Sequence, residues 1–276
     1  MTDQVPAAGA LADFGTDVDA LLLVSPRRRS PRTVINGPTV TVAGGRRVPV
    51  GVLPAAGPGL LAGFAAAAAR VHDRRAGDGA SSIAVLAQRS RRYLHLAARI
   101  RRLVDRQDGV LWWPADEMIR ADLVQGLGLG LATTIYVGHG RPTGWAGYAG
   151  LRAHHLSGAA QPCGIVLSLA CHTASRRRTG LSFTESLVLR GSAAAALGAA
   201  TSTPHVANAR WSLRITAALS AGVGTAGELV AAAEPDGELS GRYRLIGDPM
   251  APLLDAPGAR AAARALTEDV ALEVVS

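Results

Sequence analysis

A chain of 276 residues that is 48% hydrophobic can bury a sizeable core, but with aromatics at only 4% that core must be built mainly from alanine, valine and leucine. The formal charge is +8, and every one of the 29 basic residues is arginine; no zinc-finger spacing or aromatic stacking pattern accompanies them, so nucleic acid is not the expected partner. Two cysteines exclude a disulfide framework, acids near the amino terminus do not match a secretory leader, and prolines 49, 54 and 58 break the uncharged run 48–69, leaving a soluble, cytoplasmic protein as the expectation.

Residues 1–80 read as an N-terminal accessory region that packs on the core, covers the cleft or docks a partner, ahead of a main domain over 81–276. Arg27–Arg32, with prolines nearby, is linker-like. Thr39–Val42 and Arg47–Val52 flank Gly44-Gly45 and predict a hairpin. A helix is expected from Leu60 to Arg75, closed by Gly77–Ala80.

From residue 81 strands and helices alternate. Ser82–Ala87 is a short apolar run suited to a buried parallel strand. A helix follows Ser90, with Leu94, Ala97, Ala98, Ile100 and Leu103 set among arginines. Trp112-Trp113-Pro114 reads as a loop and Ala115–Gln125 as a helix. Thr133–Val137 predicts a strand running into Gly138-His139-Gly140, and Gly164–Ala170 a strand running into Cys171-His172. Beyond them come a helix over Leu181–Arg190, a small-residue segment Ala193–Ala200 that suits strand or helix, helices over Val206–Ala221 and Thr225–Ala233, and Tyr243–Ile246 before the Gly247-Asp248-Pro249 turn. This alternation predicts an α/β three-layer sandwich, a mostly parallel sheet flanked by helices.

Functional groups of open parallel sheets sit beyond the carboxyl ends of the strands. Two strands here end on a histidine and a cysteine. A cysteine nucleophile needs a neighbour to take its proton, and glycines beside His139 let the backbone turn so that the imidazole projects into a cleft. Backbone N–H groups of Gly140 and Cys171 are candidates to bind an oxyanion. Cys163 lacks such neighbours and reads as packing, His172 as a loop residue, and His154-His155 as surface. Cys163, Cys171 and His172 have no zinc-ligand spacing, so a metal site is not expected.

Tyr136-Val137-Gly138-His139-Gly140 resembles the strand–His–Gly motif of caspase-like cysteine peptidases, especially the gingipain-like and CHAT-domain groups. Leu167-Ser168-Leu169-Ala170-Cys171 is similar to their hydrophobic strand ending in Ala-Cys, and Phe183–Leu189, Gly198–Pro204 and Leu245–Pro249 follow in the same order. The resemblance implies peptide-bond hydrolysis by a Cys171/His139 dyad through an acyl-enzyme, with no metal or organic cofactor. It further implies a protein substrate, in bacterial signalling, defence or programmed death, with an activating protein partner possible.

One charged residue often sets specificity in such enzymes. Asp116, Glu117 or Asp122 would receive a basic side chain, and Arg89 or Arg141 an acidic one; the family likeness favours the basic preference. Trp145 is expected either to wall the pocket or to be a packed or half-exposed loop aromatic. Arg176-Arg177-Arg178 offers a site for self-cleavage, against the plainer reading of a solvated loop. An inactive scaffold for protein partners, and a basic nucleic-acid-associated module, are the competing readings.

Overall fold

The computed structural model describes residues 17–26, 35–74, 80–104, 109–156, 160–235 and 237–275, so the Arg27–Arg32 linker and most of Gly77–Ala80 lie outside the described residues. The strands are β1 Leu21–Pro26, β2 Thr39–Thr41, β3 Arg47–Ala55, β4 Ile83–Ala87, β5 Val110–Pro114, β6 Thr133–Val137, β7 Gly140–Arg141, β8 Gly144–Trp145, β9 Cys163–Leu169, β10 Ala193–Ala199 and β11 Tyr243–Gly247. The helices are α1 Pro58–His72, α2 Arg91–Val104, α3 Arg120–Leu127, α4 Phe183–Leu189, α5 His205–Ser220, α6 Ala226–Ala233 and α7 Ala259–Val275.

Among the described residues, one large sheet runs in the order β1-β3-β11-β10-β9-β6-β4-β5, with β2 added on β3 and β7-β8 a separate small ribbon. Its pairs are parallel except β10 with β11 and β2 with β3. The predicted hairpin is thus present. Strands β4, β6, β9 and β10 are buried along their whole length, which is why they read as continuous apolar runs. On one face lie α2, α5 and α6, contributing Ile100, Trp211 and Leu229. On the other lie α3, α4 and α7, with Leu123, Phe183 and Ala263, joined by Phe64 of α1. Helix α2 shows the logic: Tyr93, Leu96, Ala97, Ile100 and Val104 recur at three- and four-residue steps and are buried, while its arginines face outward. Each large apolar side chain so buried contributes roughly 1.5–3 kcal/mol.

Two expectations differ from the structure. Trp112-Trp113-Pro114 belongs to β5 rather than to a loop. Pro114 ends an edge strand, where its missing N–H costs little, and Trp113 is buried with its indole N–H on Thr267 at 3.0 Å. The helix expected from Ala115 begins only at Arg120. Ahead of residue 80, β3 pairs directly with β11 through Gly51↔Leu245. Ala193–Ala199 is a strand, since its hydrogen-bonding partners on both sides outweigh alanine's helical preference.

The two ends of the sheet are built differently. At the amino ends of β4 and β6, the buried Asp255 carboxylate accepts the N–H groups of Ser82 (3.0 Å) and Ala132 (2.7 Å). The Gly247-Asp248-Pro249 turn lies at this same end, where Gly247 pairs with Ala195. The opposite end carries His139 and Cys171. No helix among the described residues is long and apolar enough to cross a membrane.

Candidate active site

Strands β6 and β9 are parallel neighbours, with Val137 opposite Leu169. His139 and Cys171 each stand two residues further on. Equal steps beyond a paired position bring them to the same level. Both stand in the loops that leave the sheet, and the His139 ring lies against Tyr93 of α2. Tyr93 of α2 packs against the histidine. Its ring meets the His139 imidazole edge-on at 5.4 Å, and burial raises its phenol pKa, with Arg92 opposing and Cys171 adding a smaller upward push.

Close approach, rather than an unusual dihedral angle, explains the glycines beside the histidine. A Cβ on Gly140 would lie 2.4 Å from the Cys171 carbonyl oxygen and 2.9 Å from the Ala170 Cβ. One on Gly138 would lie 2.2 Å from the Tyr136 hydroxyl. The histidine loop therefore rests directly on the cysteine loop. From below, the Tyr136 hydroxyl donates to the His139 carbonyl at 3.1 Å, and the His139 N–H donates to Gln88 Oε1 at 2.7 Å.

The Cys171 sulfur is partly buried and faces Thr203. It accepts the Thr203 N–H at 3.3 Å and lies 3.5 Å from both the carbonyl oxygen and Oγ1 of that residue. Residue 172 is held in left-handed backbone geometry (φ 61°), with its N–H on the Thr201 carbonyl and Nε2 2.9 Å from Ser202 Oγ. His172 is thus a loop anchor. Cys163 is fully buried, and burial pushes its thiol up to about 11, so it stays protonated at neutral pH.

His139 is exposed. Burial and then the Arg92 charge lower its pKa from the usual imidazole value, leaving it neutral at pH 7. Arg92 donates to Nε2 at 2.8 Å, so in the neutral ring Nδ1 carries the hydrogen, 3.5 Å from the Tyr93 hydroxyl. Arg92 also donates to that hydroxyl at 2.9 Å.

The other candidates scatter. Trp145, a candidate to wall a pocket, is 2% exposed; it stacks on Tyr136 and donates to Ser168 Oγ at 2.8 Å, so it supports the sheet and offers substrate almost no surface. Asp116 and Glu117 are exposed on the turn after β5, where Glu117 accepts the Trp112 indole N–H, and Asp122 is half-buried on α3. Arg89 is exposed in the turn before α2, and Arg141 lines a cavity with Arg120 and Arg152. Arg176 is clamped by the buried Glu185 through Nε (2.8 Å) and a terminal nitrogen (2.6 Å), which ties down the start of the arginine loop. Sequence reasoning missed Gln88 and Thr203; both lie just beyond strand ends, so the rule that singled out His139 and Cys171 could have found them. Arg92 and Tyr93 gave no such signal. No group of three or more metal-binding side chains converges among the described residues.

A mostly parallel sheet carrying histidine and cysteine beyond neighbouring strand ends is the arrangement of a caspase-like cysteine peptidase. The comparisons agree: the profile of peptidase family C25 matches residues 74–254, and the chain belongs to that family of cysteine proteases. Its fold is similar to that of the Arg-specific cysteine proteinase gingipain R, with TM-score 0.68 and 15% identity over 91% of this chain and 67% of that one. A chain of the complex of Porphyromonas gingivalis RgpB pro- and mature domains gives 0.67 and 15%, over 91% and 68%. Separase in the Saccharomyces cerevisiae separase–securin complex gives 0.56 and 12%, over 82% of this chain and 15% of that one. No curated protein matches the sequence.

Proposed function

We propose that the chain is an endopeptidase that cuts a dedicated protein substrate, with Cys171 as nucleophile and His139 as general base and acid. The observation that carries this is the packing of Gly140 against the Cys171 carbonyl, which joins the two loops at matching steps beyond β6 and β9. Neutral His139 takes the thiol proton, the sulfur attacks the scissile carbonyl, and the C–N bond breaks as the imidazolium protonates the leaving amine. Water then hydrolyses the thioester, releasing the acid and restoring the thiol. The Gly140 and Cys171 N–H groups serve the oxyanion, and the Thr203 N–H steadies the sulfur. Arg92 is exposed, and its described hydrogen bonds go to neutral partners only. This favours an acidic substrate side chain near the scissile bond over the basic one expected from family likeness. Asp116 and Asp122 are the residues that a basic preference would use, and a regulatory partner would act by moving Arg92 off the imidazole.

The test is cleavage of an unbiased peptide library by wild type and Cys171→Ala, together with alkylation by iodoacetamide. Wild type should cut internal bonds, Cys171→Ala should cut none while melting normally, and label should fall on Cys171 and spare Cys163. Cleavage that survives Cys171→Ala would overturn the assignment. A labelled Cys171 with no peptide cut would point to another acyl-transfer reaction, or to a scaffold if the variant also keeps its biological role.

A further inference from the structure

Behind the histidine loop lies a cavity of about 460 Å³ that the proposed hydrolysis does not use. Its charged lining is Arg120, Arg141, Arg152, His154 and His155, gathered from α3, β7 and the segment that follows β8. No carboxylate pairs with these three arginines among the described residues. Their mutual proximity registers on His155, whose pKa is lowered by burial first and then by His154, Arg120 and Arg152. Like charges converging without a counterion are unfavourable, and the fold nevertheless holds them together.

The frame is built rather than incidental. Arg120 donates to the Ala149 carbonyl at 3.1 Å, and the Arg152 N–H donates to His155 Nδ1 at 3.1 Å, which leaves the His155 Nε2–H as a free donor in the neutral ring. Tyr148 (φ 54°), Ala149 (φ 53°) and Gly150 (φ 80°) form an unbroken left-handed run at its wall. Such a conformation is unfavourable for non-glycine residues and persists where surrounding structure imposes it. The same wall is laced to the active-site loop, since the Ala146 N–H donates to the His139 carbonyl at 2.9 Å and the Trp145 N–H to the Leu151 carbonyl at 2.9 Å.

We propose that this cavity is a binding site for a phosphate-bearing small molecule, held by the Arg120, Arg141 and Arg152 guanidinium groups. A carboxylate offers two oxygens and a single charge, whereas linked phosphates offer several oxygens to planar guanidinium forks and a charge that balances three arginines. A second basic cavity, lined by His95, Arg99, Arg101, Arg102 and Trp112, serves as the control. Its arginines come from the single helix α2, and Arg101 lies over the Trp112 ring.

The probe is inorganic tripolyphosphate, titrated calorimetrically into the full chain at constant ionic strength. One saturable site per chain is expected, with affinity reduced at least tenfold in Arg120→Gln/Arg152→Gln and changed less than twofold in Arg99→Gln/Arg102→Gln. Cys171→Ala should bind as wild type, so the result stands apart from the hydrolytic reading. Equal weakening by the two double variants would reduce the site to bulk charge and overturn it. Tighter binding of a hexaglutamate peptide than of tripolyphosphate would overturn it in favour of an acidic protein segment. Melting curves of both double variants exclude loss of fold as the cause.

Discussion

Replacing Gly140 by alanine tests the joint between the two loops directly. The added Cβ would sit 2.4 Å from the Cys171 carbonyl oxygen, against an ordinary contact of 3.4 Å or more, and its other neighbours, Thr173 Cγ2 at 2.8 Å and Ala170 Cβ at 2.9 Å, are buried. The histidine loop must therefore withdraw by about 1 Å, a displacement that typically costs on the order of 100-fold in rate when it separates reacting groups. Overpacking of this kind also destabilises by about 1–3 kcal/mol. At ~2–4 °C per kcal/mol for a chain of this size, melting should fall by roughly 2–12 °C. The assay compares kcat/KM on the best library peptide, the alkylation rate of Cys171 and the melting temperature. Cleavage should drop about 100-fold while Cys171 remains alkylated. A folded Gly140→Ala protein that cleaves within about twofold of wild type would refute the idea that this contact sets the dyad.

Two further outcomes follow from the electrostatics. Burial and the Arg92 charge both lower the His139 pKa, so the rate should fall only as pH drops below the usual imidazole range. Removing the positive charge in Arg92→Ala makes protonation easier, so the acidic limb of kcat/KM should move to higher pH; an unmoved or lowered limb would contradict the contact. Glu185 is wholly buried and Arg176 only 10% exposed, so Glu185→Gln leaves a buried guanidinium facing a neutral amide. The expected loss is about 3 kcal/mol, which lowers melting by roughly 6–12 °C and speeds tryptic cutting of the loop 176–180. Unchanged melting would show that the pair contributes nothing to the clamp.

Much of this protein is legible from local pattern. Continuous apolar runs such as Ile83–Ala87 and Cys163–Leu169 mark strands buried on both faces, because a two-sided environment leaves no polar alternation. The abrupt ends of Thr133–Val137 on glycine and histidine, and of Cys163–Leu169 on alanine and cysteine, mark where backbone leaves the sheet, and there chemistry is most accessible. So His139 and Cys171 could be singled out as a pair before any coordinates. Local pattern could not place Trp145, because an aromatic after a loop looks the same whether it lines a cleft or, as here, stacks beneath the sheet on Tyr136. Nor could it choose between strand and helix for Ala193–Ala199, where alanine's preference opposes the pairing with β9 and β11.

What tertiary structure alone decided are the relations between distant segments. The register Val137↔Leu169 levels the two candidate residues, Thr203 approaches the sulfur from beyond β10, and β3 joins a sheet whose other strands lie far along the chain. The arginine cavity likewise exists only because residues 120, 141 and 152 are folded together. Apolar periodicity reports how each segment meets the core, but it carries no record of which segments become neighbours. That information lies in nonlocal packing, which sets where His139 and Cys171 sit and what charge surrounds them.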